Sequence, residues 1–310
     1  MKRVTAALVM GFLIAITALA ACTSTTGMAK RSIVFVYGPE SHGYGAHAYG
    51  PAFRMLGRML TEAVPEVECT VIPGDKDISL IETADAIVLG SDEGDLVKAL
   101  GDRLEPLMKK GVGLACIHYT LDPTDQEAID RLTAWIGGAF VQYWSVNPFW
   151  EAEFQSFPDN PVSRGLMPFK AYDEWYYHMK FVDDMKGVTP ILSAVPPEST
   201  RRGRDGPHSG NPEVRKRTGM AEVLSWTYER PDGGRGFGFT GMHEHWSWAQ
   251  DSYRKSVLNG IAWIANIEIP KDGIPSKTPS LEEMQTDLDK PVPADFDVKE
   301  VREKISKMNQ

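Results

Sequence analysis

Cysteine is scarce in this chain, with three in 310 residues, at Cys22, Cys69 and Cys116. No Cys-x-x-Cys pair is present, so a thiolate zinc site and a dithiol redox centre are excluded. A His-Glu-x-x-His helix is also missing, which removes the commonest sequence signature of a zinc hydrolase. Basic residues form no stripe: 33 Lys and Arg stand against 42 Asp and Glu, for a formal charge of −9. An acidic chain of this kind is not expected to take nucleic acid as a partner. The one strongly apolar run, Ala6 to Ile16, is too short for a spanning helix, and no internal repeat is visible.

What the first residues do carry is a leader pattern. Lys2 and Arg3 precede the apolar run, which ends in Leu19-Ala20-Ala21-Cys22. A charged start, a short apolar core and small residues before a cysteine match a bacterial lipobox. The expectation is a lipoprotein-type signal peptide over 1–22 with Cys22 as the lipidated residue, followed by a polar tether over 23–31. A plain signal peptide cut after Ala-x-Ala is the alternative. Either way the protein is expected to be exported, as a periplasmic or cell-envelope protein, and the lipoprotein form adds membrane contact through its anchor. Residues 32–270 are long enough for one sizeable core, with Cys69 and Cys116 expected as buried free thiols. Residues 271–310 form a charged, proline-containing tail that wraps the domain or partly frays.

Within the domain, Ile33 to Tyr37, Val67 to Ile72 and Ala86 to Leu89 read as strands, and Phe53 to Val64 has helical spacing. Leu96 to Lys109 is an amphipathic helix capped by Gly111. Leu114 to Ile117 is apolar throughout, as a central parallel strand should be. It runs straight into His118, and Asp122 to Glu127 is turn and helix-start chemistry. This alternation predicts an α/β fold: a flavodoxin-like, doubly wound, mainly parallel sheet. The second half is less regular. Asn147 to Phe154 and Val188 to Ala194 alternate as strands, and 196–218 is a long Arg, Gly and Pro-rich loop. Glu222 to Tyr228 and Gly236 to Thr240 pair around a Pro-Asp-Gly-Gly turn, and Arg254 to Ala265 closes the domain as a helix. A β-rich insertion in this half is the result.

All seven histidines lie in the exported part. His42, His118 and His243 each follow a strand, so in an open α/β sheet they converge at one edge. Glu174 and His178 lie four apart in the aromatic stretch Tyr172 to His178. Imidazole and carboxylate together suit a divalent zinc, manganese or nickel ion. They equally suit general acid–base work without metal. His208, in the long loop, reads as a surface residue. Tyr143, Trp144, Trp150, Trp175, Tyr176, Tyr177, Trp246 and Trp248 either stack on a carbohydrate or fill the core.

Taken together, Gly111 to Tyr119 (Gly-Val-Gly-Leu-Ala-Cys-Ile-His-Tyr), Ser41 to Gly45, Gly206 to Pro212, Gly238 to Trp246 and Asn259 to Trp263 resemble the ThuA-like (trehalose utilisation) family from about Ser32 to Pro270. That family is similar in fold to class I glutamine amidotransferases, whose nucleophile elbow holds cysteine. Here His118 stands at the elbow and Cys116 lies two residues earlier, so Cys-dependent amidotransfer is disfavoured. A hydrolase using Cys116 is the weakest reading. The resemblance implies disaccharide catabolism through 3-keto sugars beside sugar oxidoreductases, and chemistry of a lyase, hydrolase or isomerase type. His118, Glu174 and His243 are the expected catalytic residues. Ser91, Asp92, Trp175, His245 and Trp246 are expected to touch the sugar, and His42 and His178 to hold a metal. A non-catalytic sugar-binding lipoprotein is the competing reading.

Overall fold

A computed structural model describes residues 30–286 and 288–310. The expected signal peptide with Cys22, and all of the expected tether but its last two residues, lie outside the described residues. The first half runs β1 (Arg31–Tyr37), α1 (Tyr49–Ala63), β2 (Val67–Pro73), β3 (Ala86–Gly90), α2 (Asp95–Lys109), β4 (Gly113–Ile117) and α3 (Gln126–Ile136). Four short strands follow, β5 (Gly138–Ala139), β6 (Phe149–Phe154), β7 (Phe169–Glu174) and β8 (Lys180–Phe181). Then come β9 (Val188–Ala194), α4 (Pro212–Arg215), β10 (Glu222–Glu229), β11 (Arg235–Phe239), α5 (Asp251–Ile264), α6 (Leu281–Thr286) and α7 (Val298–Lys307).

The main sheet has the order β2-β1-β3-β4-β11-β10-β9. β2, β1, β3, β4 and β11 are parallel, and β10 runs against both of its neighbours. This is the flavodoxin-like order with β11 as the fifth parallel strand, extended by an antiparallel pair. Strand alternation divides the core. Ala115 and Ile117 face α1 and α5, while Leu114 and Cys116 face α2 and α3. Every residue of β4 is buried, as its unbroken apolar sequence requires. Gly113 is needed there because a Cβ would lie 2.1 Å from the carbonyl oxygen of Ile264, so α5 packs directly on the strand. At α3, the Asp125 side chain accepts from Ala128 N at 2.9 Å, and Gly137 ends the helix at φ +85°.

β7 was not expected from the sequence. It pairs antiparallel with β6, from Phe149 opposite Glu174 to Phe154 opposite Phe169. Polar and aromatic residues mask its alternation, and cross-strand pairing supplies what the local pattern does not. One face of this ribbon carries Trp150, Ala152 and Phe154 into the core. Cys69 is half-buried rather than buried, because it sits on the edge strand β2 beside α1; Cys116 is fully enclosed, and both are free thiols. The tail wraps the domain: Ile274, Leu281, Met284 and Val301 join the core on the α1/α5 side. Among the described residues no helix is long and apolar enough to cross a membrane.

Candidate functional site at the carboxyl edge of the sheet

β4 delivers His118 into a tight turn at φ +56°. A non-glycine residue in this region costs about 1–3 kcal/mol and persists only where its surroundings over-determine it. Here the surroundings are specific. The ring is fully buried, it packs 4.7 Å from Tyr176, and Nδ1 lies 2.8 Å from the carbonyl oxygen of Thr240, just beyond β11. A carbonyl only accepts, so Nδ1 carries the proton and Nε2 presents a lone pair.

His47 enters from the β1–α1 loop, also at positive φ (+49°). Its Nδ1 lies 2.7 Å from Asp92, a carboxylate just after β3 that also accepts from Tyr49 and from the Ser41 hydroxyl. The His47 Nε2 lone pair therefore faces that of His118 at 3.2 Å. His243 follows β11, and its Nδ1 is 3.0 Å from His47 Nε2 and 3.0 Å from Glu174 Oε2. Glu174 Oε2 is in turn 3.4 Å from His118 Nε2, and Asn147 donates to its other oxygen. Beneath them the buried Asp173 accepts from the backbone N–H groups of Met242, His243 and Glu174 and from the Tyr253 hydroxyl. That carboxylate fixes the turn at Met242 (φ +97°) from which His243 projects.

Four potential ligand atoms, from His47, His118, Glu174 and His243, thus lie within 4.8 Å of one another. Around this ring the neighbour distances are 3.0–3.4 Å. A point equidistant from donors so spaced is about 1.9–2.2 Å from each, which brackets zinc–nitrogen and zinc–oxygen bonds. Two facing imidazole lone pairs repel unless a proton or a cation lies between them. Both imidazoles are also held by acceptors on the far nitrogen, the usual support behind metal-bound histidine. The donor set fits a divalent ion.

Electrostatics follow from the same contacts. Burial raises Glu174, but the imidazoles of His118 and His243 beside it outweigh that and hold the carboxylate at about 2. Burial drives His47 down to about 4 against the pull of Asp92. Burial also opposes charge on His243, yet Glu174 leaves it above its ordinary value. These three groups together therefore favour the folded metal-free protein most near pH 6.5, the ordinary histidine value. Below 6.5 the unfolded chain protonates His47 while the folded chain does not, so stability falls towards pH 4. Glu174 extends the loss between 4.5 and about 2, since its folded pKa is the lower. His243 acts oppositely: its contribution is complete below 6.5 and is lost as pH rises through the raised value. Chemical denaturation of chelator-treated protein across this range checks the shape, and His47→Asn should flatten the limb from 6.5 to 4.

The structure gathers His118, Glu174, His243 and Asp92, with His42 at the rim, its ring 3.7 Å from that of His47. It does not bring in His178. The chain turns after β7, and that ring stacks on Trp144 at 4.6 Å with Nδ1 3.8 Å from Glu222. Ser91 is buried and its hydroxyl accepts from Leu96 N at the start of α2, so it serves the fold. Trp175 is wholly buried with its indole N–H on Ala171 O. Trp246 lies under Tyr44 and Phe296, and His245 is buried beside it. Trp175 and Trp246 are taken up by packing, because the core claims large rings first. His208 is not a plain surface residue: its Nε2 is 2.9 Å from the fully buried Asp122, which docks the long loop beside β4. Sequence reasoning passed over His47; the signal was its place in a glycine-rich loop at a strand end, five residues after His42.

Cys116 points among α2 and α3, and burial pushes its thiol far above the ordinary range, so it cannot serve as a nucleophile at this edge. Among solved structures the chain is similar to a ThuA-like protein from Bacteroides uniformis, at 17% identity and a TM-score of 0.51, over 78% of this chain and 94% of that one. It is also similar to one from Parabacteroides merdae, at 14% identity and a TM-score of 0.52, over 83% and 99%. At these identities the likeness concerns the fold. No curated protein matches the chain. The model of the ThuA family, described as trehalose utilisation, matches residues 34–264, and with the elbow histidine and its partners in place the chain belongs to that family, which ties it to carbohydrate metabolism.

Proposed function

We propose that this protein is a metal-assisted enzyme of disaccharide catabolism acting on a 3-keto sugar. The observation that carries the reading is the convergence of His47, His118, His243 and Glu174, with the tautomers of two imidazoles pinned by Asp92 and Thr240. A zinc, manganese or nickel ion at these four residues would polarise the sugar carbonyl and so acidify its alpha proton. His118 and Glu174, expected from sequence to move protons, are better placed as ligands, since each lies beside two other donors. The proton then falls to His42, which is partly exposed at the rim with Nδ1 2.6 Å from the Ser41 hydroxyl. Burial lowers its pKa, so it is neutral and ready to accept at neutral pH. Asp92 orients both His47 and Ser41. Enolisation or elimination next to the carbonyl is the reaction class this arrangement serves. The leader pattern supports action outside the cytoplasm from a lipid anchor at Cys22, beside an oxidoreductase that supplies the keto sugar.

The test is to measure metal content of the purified protein and to incubate it with trehalose and its 3-keto derivative, with and without chelator. Turnover of the keto sugar, lost on chelation and restored by one of the three metals, is expected. Turnover indifferent to chelator would return the chemistry to His/Glu acid–base groups alone. Sugar binding with no turnover would favour the non-catalytic lipoprotein reading, and neither binding nor turnover would end the carbohydrate assignment.

A further inference from the structure

The aromatics that the sequence offers for stacking are mostly core, yet among the described residues three large rings remain exposed: Tyr143, Phe149 and Tyr172. Two of them form a pair. The Phe149 ring meets that of His243 edge-on at 4.7 Å, and Tyr172 stacks on Phe149 at 6.1 Å with 23° between planes. Register explains the arrangement. Phe149 stands opposite Glu174 and Glu151 opposite Tyr172, so all four share the outer face of the β6–β7 ribbon. Tyr172 is two residues before Glu174 on the same strand, about 7 Å along it.

From Tyr172 the face opens into a cavity of about 1090 Å³, whose floor includes Glu151 and Lys170 and whose inner wall includes Glu244, next in chain to His243. Its far wall is the end of α7, with Lys304 and Lys307, and the residues after it, including Asn309. That wall is anchored: Asn309 donates to Ala249 O and accepts from Asp251 N, and Gln250 donates to Met308 O. Ligand sites commonly occupy about 300–1,000 Å³, so the space is ample for a second sugar ring. Carboxylates and ammonium groups both line it, which suits a neutral polyol needing donors and acceptors rather than an anion or a cation.

We propose that the Phe149–Tyr172 pair and the cavity beyond it form the subsite for the second ring of a disaccharide whose first ring lies at the histidine cluster. The proposal rests on the carbohydrate reading above and specifies its substrate as a glycoside rather than a single sugar. α7 lies outside the family-matched span, so one wall of this subsite belongs to the chain's own tail.

Calorimetric titration of the full chain with trehalose and with glucose tests it, in wild type and in Tyr172→Ala, Phe149→Ala and Tyr172→Phe. Wild type should prefer trehalose. Tyr172→Ala and Phe149→Ala should each weaken trehalose about tenfold, the scale of one lost ring stack, and leave glucose unchanged. Tyr172→Phe should restore trehalose binding. Tyr172 is more than half exposed, so its removal leaves the fold intact. Equal trehalose affinity in wild type and Tyr172→Ala, or no preference of wild type for trehalose over glucose, overturns the subsite alone. Failure of wild type to bind trehalose, glucose and the 3-keto derivative of trehalose overturns it together with the carbohydrate reading.

Discussion

His118→Ala is expected to abolish metal binding and turnover while the protein still folds. The imidazole supplies one of four donors, and the two nearest, on His47 and Glu174, lie 3.2 and 3.4 Å from its Nε2. Without it, three of those four donors remain, on His47, Glu174 and His243. Asp92→Asn is the graded comparison. It leaves every donor in place but weakens the acceptor that fixes the His47 tautomer, and losing such a partner typically costs about 10–100-fold in metal affinity. His118→Ala should exceed that range; metal titration of both variants beside wild type measures the ordering. Metal affinity of His118→Ala within tenfold of wild type would remove this cluster as the metal site. The elbow adds a separate test. His118→Gly and His118→Ala lose the same ring but differ at φ +56°, where a Cβ costs about 1–2 kcal/mol. The glycine variant should be the more stable by about that amount in urea, equally inactive, with strain relieved that the native site retains.

Ending the chain after Pro279 should inactivate the protein although the whole family-matched span remains. The segment removed holds the loop that carries Ser41, His42 and His47. Lys290 donates to the carbonyl oxygen of His42 and faces Glu40 at 3.7 Å, and Gln285 donates to the Tyr44 hydroxyl at 3.0 Å. Phe296 packs 5.0 Å from Tyr44 and 5.5 Å from Trp246. Met284 and Leu281 fill the core on the α1/α5 side. Met284→Ala alone should cost about 2–5 kcal/mol, the range for deleting a buried side chain of this size. Thermal unfolding and turnover of the truncated chain and of Met284→Ala read the two contributions separately. A truncated chain of unchanged activity would show that the loop needs no strap.

The divide between what could be read and what could not follows the range of the interactions. β9 was legible to the residue, Val188 to Ala194, and β10, β11, α2 and α5 to within a few residues, because each is carried by local periodicity and turn chemistry. β7 was not, since a two-stranded ribbon is stabilised by its partner rather than by its own pattern. The same holds among the histidines. His118 and His243 could be placed because one directly follows a strand and the other lies four residues past the end of one. His47 could not, since it reaches the cluster only through a loop at φ +49°, drawn in by Asp92 from another strand. The aromatics show the limit most clearly. Nothing local distinguishes Trp175, with no exposed surface, from Tyr172, three residues earlier and more than half exposed. Sidedness on an unrecognised strand decides that, and so decides which rings a ligand can meet.

By itself, then, the sequence determined the parallel α/β sheet, the histidine at its elbow and the family, because these rest on hydrophobic period, strand-end position and ordered motifs. Only the tertiary structure decided that His47 completes the cluster, that His178, Trp175 and Trp246 stand outside it, and that the tail builds a wall of the neighbouring cavity. Those outcomes depend on contacts between residues far apart in the chain, where packing and paired hydrogen bonds outweigh any local preference.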